Sequence, residues 1–128
     1  MTDVPASHRD LLDAQVGTFG TIGDDGLPQL SEVWFLYEDG DLRISLNTSR
    51  AKTKNLDARP ECSLLILDLE NPYRYLEVRG VVEEIVPDPT GAFYLHLNDR
   101  YTGPLTEPPV DKADRVILVV RPTGYSKQ

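Results

Sequence analysis

Asp24-Asp25-Gly26-Leu27-Pro28-Gln29-Leu30-Ser31-Glu32-Val33-Trp34-Phe35-Leu36-Tyr37-Glu38-Asp39-Gly40-Asp41-Leu42-Arg43-Ile44-Ser45-Leu46 alternates turn chemistry with strand chemistry. Asp24-Asp25-Gly26 and Glu38-Asp39-Gly40-Asp41 supply the acidic and glycine residues that tight turns require. Between them, Gln29 to Tyr37 reads as a strand. The period of two puts Gln29, Ser31, Val33, Phe35 and Tyr37 on one face and Leu30, Glu32, Trp34 and Leu36 on the other. Leu42, Ile44 and Leu46 then share one side of the next strand. Hairpins joined in this way make an antiparallel meander, because turns of a few residues cannot connect parallel strands.

Outward from this core the same reading continues. Val16 to Ile22 is the strand before the first turn. Ser7 is an expected N-cap for a short helix over His8 to Asp13, with Asp10 in an acidic capping-box position. After Leu46, Asn47-Thr48-Ser49 offers cap residues, and Arg50 to Ala58 reads as a helix stopped before Pro60. Cys62 to Leu69 is an apolar run expected to be a strand buried on both faces, with Asn71-Pro72 as its turn. Tyr73 to Val86 is a long strand bent at Gly80, Thr90 to Tyr101 a helix ended by Gly103-Pro104, and Arg115 to Arg121 the last strand. Six strands with short helices predict a mainly β protein, an antiparallel β-barrel with helices over its ends.

The 128 residues are expected to form one domain, 1–128, because a chain this long has surface for one core only. Thirteen Lys plus Arg stand against 21 Asp plus Glu, a formal charge of −8. Such a surface argues against bulk binding to nucleic acid or to an anionic membrane. A single cysteine excludes an internal disulfide and a zinc ribbon. Without an apolar leader or span the expected address is cytoplasmic.

One segment departs from the acidic balance. From Ser49 to Arg59 there are four basic residues, Arg50, Lys52, Lys54 and Arg59, against Asp57 alone, a local +3. The island coincides with an expected helix N-terminus, where backbone N–H groups favour an anion and cations cost about 0.3–1 kcal/mol each. Thr48 and Ser49 add hydroxyl donors, Arg50 a planar fork and Lys52 a point charge. The spacing points to a local phosphate site, with a solvated helix face as the alternative.

Three stretches, Gly26 to Trp34, Arg50-Ala51-Lys52-Thr53-Lys54-Asn55-Leu56, and Tyr73-Arg74-Tyr75-Leu76-Glu77-Val78-Arg79-Gly80, resemble the split-barrel flavin and deazaflavin reductases, relatives of pyridoxamine 5′-phosphate oxidase. The similarity runs from about Leu11 to Arg121. The second stretch looks most like the branch that uses the deazaflavin coenzyme F420. This resemblance implies a six-stranded split barrel and a homodimer with two cofactor sites at its interface. It implies phosphate contacts from Ser49, Arg50, Ala51, Lys52 and Thr53, beside Thr48. Pro28, Gln29, Ser31 and Val33 would then meet the ring and ribityl chain. The implied reaction passes a hydride from reduced F420 to an enone, quinone or imine. FMN places a phosphate on the same turn, so an FMN-dependent reductase is the alternative; a polyglutamate tail would call on Lys54 or Arg59. The chain lacks the basic C-terminal extension of the oxidase itself, so pyridoxamine phosphate is not the expected substrate.

The remaining candidates carry less. Tyr73 and Tyr75 could supply a proton or form an aromatic pair on a barrel rim. Trp34, opposite Gln29 and Ser31, is expected to pack in the core or an interface rather than stack on a ring. His8, in a segment expected to fray, and His96 make no metal pair, and no metal is expected. A haem ligand at His96, with a non-catalytic carrier or a plain interaction module, is the reading left outside the enzyme class. Cys62 is expected to be an inert core thiol.

Overall fold

The computed structural model describes residues 4–47, 51–101 and 112–128, with the backbone alone given for 51–54, 100, 101 and 112. Six strands, β1 (Val16–Ile22), β2 (Pro28–Glu38), β3 (Asp41–Asn47), β4 (Glu61–Asp68), β5 (Asn71–Pro87) and β6 (Arg115–Lys127), are joined with α1 (Ala51–Ala58) and α2 (Ala92–Tyr101). They close into a barrel in the order β1-β2-β3-β6-β5-β4, every pairing antiparallel. The mainly β barrel expected from the hairpin pattern is the fold observed.

The turns follow their residues. Asp39 and Gly40 both have positive φ, 54° and 84°, which is what a two-residue turn between right-twisted strands needs. The β1–β2 loop closes through Gly23 N–H to Leu27 O at 2.9 Å, with the Asp25 carboxylate accepting from Leu27 N–H at 3.0 Å. Inside the barrel, Phe19, Phe35, Ile44, Ile66, Leu76 and Leu118 are all 1 % exposed or less. They come from strands all round the barrel, so the core is one body.

Several expectations are corrected. The N-terminal element is a 3-10 helix (Ala6–Asp13), and no side chain caps it. Ser7 and Asp10 serve the β5 strand instead: Arg74 donates to both Asp10 oxygens (2.7 and 3.1 Å), to Asp68 (3.1 Å) and to Ser7 O (2.8 Å). This segment is pinned rather than frayed, because His8 is buried with Nε2 2.9 Å from the Gln128 carbonyl. The β4–β5 turn is Leu69–Glu70; Asn71-Pro72 already belongs to β5, and a register shift after Leu67 accommodates it. β4 alternates buried and half-buried residues instead of burying both faces. α2 starts at Ala92, two residues inside the expected helix.

β6 runs six residues past Arg121, through Pro122-Thr123-Gly124, a stretch that reads locally as a breaker. Pro122 pairs with Gly80 at a register shift of the β5–β6 ladder, where an absent N–H is tolerated. Gly80 is required there: a Cβ would stand 2.6 Å from Val120 Cγ1 and 2.7 Å from Arg121 O. The bend expected at Gly80 is this bulge.

The Arg74 cluster predicts a pH dependence. The Arg74 hydrogen bonds hold the Asp10 carboxyl below the usual range; the Glu70 N–H and then Arg74 do the same for Asp68. A depressed folded-state pKa contributes stability above the unfolded value, near 4, and loses it as pH falls through the folded value. The urea midpoint of Arg74→Ala should therefore lie below that of the unsubstituted chain at pH 7, and the gap should narrow below about pH 4, leaving the share of the Ser7 carbonyl bond. A gap unchanged down to pH 2 would contradict the assignment.

Candidate functional site

The phosphate turn expected from the sequence falls between β3 and α1. Thr48, Ser49 and Arg50 lie outside the described residues, and Ala51, Lys52 and Thr53 are described by backbone alone, as the first turn of α1. What holds that helix is visible. Asn55, 9 % exposed, donates from Nδ2 to Thr21 Oγ1 at 3.1 Å and to Gln29 Oε1 at 2.9 Å, tying α1 to β1 and β2. Arg59 anchors its other end, donating to Ile22 O at 2.9 Å and pairing with Asp24 at 2.8 Å. The acidic β1–β2 turn thus takes up one of the four cations of the basic island.

The four strand candidates are divided among different places. Pro28 and Gln29 border an open cleft with Asp24, Asp25 and Asn55, beside α1. Ser31 is half-buried opposite Phe19 in the β1–β2 ladder. Val33, 6 % exposed, belongs to the barrel core and also reaches the edge of a separate cavity. The expected shared face therefore turns into the barrel from Val33 onward, and only its first residues stay outside.

That separate cavity, about 230 Å³, has no counterpart among the residues singled out from the sequence as site candidates except Val33. Its floor is the outer surface of β2 and β3, with Glu32, Trp34 and Ser45; its wall is Tyr94 of α2 and Arg115 at the start of β6. Trp34 is half-buried and packs on Tyr94, ring centroids 5.3 Å apart and planes inclined by 32°. The guanidinium of Arg115 lies 4.6 Å from the Tyr94 ring centroid and donates from Nη2 to Ser45 Oγ at 3.1 Å. Glu32 accepts a hydrogen bond from Thr18 of β1 across the rim. An aromatic floor, a fixed cation and a few hydroxyls suit a flat molecule bearing electron-rich oxygen. Leu46, also at this cavity, is followed only by Asn47 before the expected phosphate turn.

In the local reading of α2 the apolar Phe93, Leu95 and Leu97 are prominent, and nothing in that run marks Tyr94 as a wall residue. The usable signals were the parity of Trp34 with Leu30 and Glu32, an outward face, and an arginine opening the last strand. That Tyr94 of α2 meets Trp34 of β2 is a tertiary fact with no local mark.

The other candidates lie elsewhere. Tyr73 is 78 % exposed beside the β4–β5 turn, and Tyr75 is half-buried, its backbone paired with Gln128. Neither borders the Trp34 cavity. Burial, helped by the charge of Glu61, pushes the Cys62 thiol up to about 12, which keeps it protonated and inert near neutral pH. His96 is exposed on α2. Among the described residues no group of three His, Cys, Asp or Glu could hold a metal ion, and no helix is long and apolar enough to cross a membrane.

Comparison with known proteins gives the context. Residues 4–128 match the family model described as pyridoxamine 5′-phosphate oxidase. A solved structure described as an F420 reductase is 56% identical, covers 98% of this chain and 100% of its own, and superposes with a TM-score of 0.92. A conserved hypothetical protein of Mycobacterium tuberculosis is 28% identical, covering 99% of this chain and 85% of its own, with a TM-score of 0.75. A heme storage protein of Vibrio cholerae shares the fold alone, at 13% identity and a TM-score of 0.67 over 99% of this chain and 95% of its own.

Proposed function

Because this chain belongs to the pyridoxamine 5′-phosphate oxidase family, we propose that it is an F420-dependent oxidoreductase acting on an unsaturated small molecule such as an enone, a quinone or an imine. The observation that carries this reading is the 56% identity to an F420 reductase across nearly the whole of both chains. Bound F420 would supply a hydride from C5 of its reduced ring to an electrophilic carbon of the acceptor. The protein's share is to bind, orient and exclude water.

The donor set suits the cofactor. Thr48, Ser49, Arg50, Lys52 and Thr53, with the Ala51 backbone, would hold its phosphate at the start of α1. Pro28 and Gln29, on the cleft beside α1, would meet the ribityl chain, with Ser31 and Val33 towards the ring. Lys54 remains as a cation for a polyglutamate tail, since Arg59 is engaged by Asp24. The proton that completes reduction comes from solvent or from Tyr73 or Tyr75, which could reach a site only across an interface. A homodimer would make that interface: Leu27 and Leu30 are 63% and 65% exposed on β2 and the loop before it, and Ile22 37% exposed at the end of β1. Exposed apolar side chains of this kind are what a protein–protein interface would cover, which supports the dimer reading.

The second reading, an FMN-dependent reductase, is favoured by the oxidase family model. Turnover separates the two. Reduced F420 mixed with the protein and a panel of cyclohexenone, menadione and a cyclic imine should be oxidised with at least one acceptor, at a rate proportional to protein. Reduction of the acceptors by reduced FMN alone, with reduced F420 unchanged across the panel, would overturn the reading.

A further inference from the structure

We infer that the cavity of Trp34, Tyr94 and Arg115 is a binding site for a planar conjugated ring carrying a carbonyl or phenolate oxygen, with Arg115 donating to that oxygen and Trp34 against the ring. About 230 Å³ is room for a small fused ring system rather than for a whole dinucleotide. Arg115 is not a loosely held surface cation. Its guanidinium is held over Tyr94 at 4.6 Å and bonded to Ser45 Oγ at 3.1 Å, so its plane is set before a ligand arrives.

The two walls are also joined to each other. Asp88, 6 % exposed, accepts the Phe93 N–H at 3.2 and 3.3 Å, which fixes the first turn of α2 one residue from Tyr94. The Asp88 backbone N–H donates to Arg115 O at 2.9 Å. One buried residue therefore sets the position of the aromatic wall relative to the cation, the kind of support a binding site needs. The rim is acidic through Glu32, which disfavours a free phosphate or carboxylate there and leaves a neutral or charge-delocalised oxygen as the better match.

Two molecules of the proposed reaction have this chemistry: the cofactor ring, and a quinone or enone acceptor. The choice between them rests on the proposed function; the cavity's preference for the shared chemistry does not. Trp34 is the only tryptophan, so its indole N–H gives one resonance in a proton–nitrogen correlation spectrum. The chain is titrated with F420 alone and with menadione alone, in unsubstituted form and as Arg115→Gln and Tyr94→Phe, while equilibrium dialysis follows F420 retention separately.

The expected result is a saturable shift of the Trp34 resonance with at least one ligand. Arg115→Gln should raise that ligand's Kd at least about tenfold, and Tyr94→Phe, which keeps the ring, less than about threefold. A shift with F420 assigns the cavity to the cofactor ring; a shift with menadione alone, F420 being retained in dialysis, assigns it to the acceptor. If F420 is not retained, the cofactor reading fails and the menadione arm alone decides the cavity. The inference is overturned if neither ligand moves the resonance, or if Arg115→Gln leaves the affinity unchanged. Where circular dichroism shows Arg115→Gln unfolded, Arg115→Lys replaces it; this variant keeps the charge, loses the fork, and should weaken binding at least about threefold.

Discussion

Phe35→Ala should cost about 3–5 kcal/mol of folding stability, the scale of losing a fully buried aromatic ring from the barrel interior. Phe35 is fully buried in the middle of β2 and pairs with Ile44 of β3. Its ring touches the core that strands from all round the barrel build together, so its loss leaves a cavity that no single strand can collapse into without disturbing the closed ladder. Against a total of about 5–15 kcal/mol for a domain, such a loss brings the chain close to unfolding at physiological temperature. Urea denaturation followed by far-UV circular dichroism measures it. A loss below about 1 kcal/mol would mean that β2 does not pass through the core as described.

Arg50→Ala and Lys52→Ala should each weaken cofactor binding by about 1.5–3 kcal/mol, about 10- to 150-fold in Kd, the scale of a hydrogen bond to a charged group. In a chain of net charge −8 a local +3 has no general purpose, and these two cations flank the first residue of α1, where the helix end favours an anion. Asn55 and Arg59 hold that helix against β1 and β2, so the site is carried by a fixed element. The effect should fall with added salt, because part of the attraction is screened. Fluorescence titration of each variant with F420 measures it. Unchanged affinity in both would remove the phosphate turn from the account.

The barrel was legible because its turns are spelled out locally. Asp39-Gly40 demands two positive φ angles, and the alternation from Gln29 to Tyr37 demands a strand. The end of β6 was not legible, since Pro122 and Gly124 look like a stop until the bulge opposite Gly80 gives the proline a position needing no N–H. The N-terminal segment differs from expectation for a related reason: the Asp10 carboxylate and the Ser7 carbonyl are taken by Arg74, a partner 64 residues from Asp10 that no local pattern reveals, while the Ser7 hydroxyl pairs with the neighbouring His8 ring.

The candidate site divided in the same way. A basic island can be counted, so the turn from Thr48 to Thr53 could be named before any fold was known. The Trp34 cavity depends on Tyr94 of α2 meeting Trp34 of β2, and on Arg115 arriving beside β3 from a strand far along the chain. Its residues are polar or aromatic singletons in sequence and become a site only when the barrel closes.

The central claim is that this chain carries a deazaflavin on a two-chain particle. Sedimentation velocity, read at the visible absorbance band of the cofactor, tests binding and assembly in one run. The account predicts that F420 travels with a particle of twice the 14.3 kDa chain mass, while FMN at equal concentration stays largely behind. FMN travelling with the protein while F420 remains unbound would contradict it.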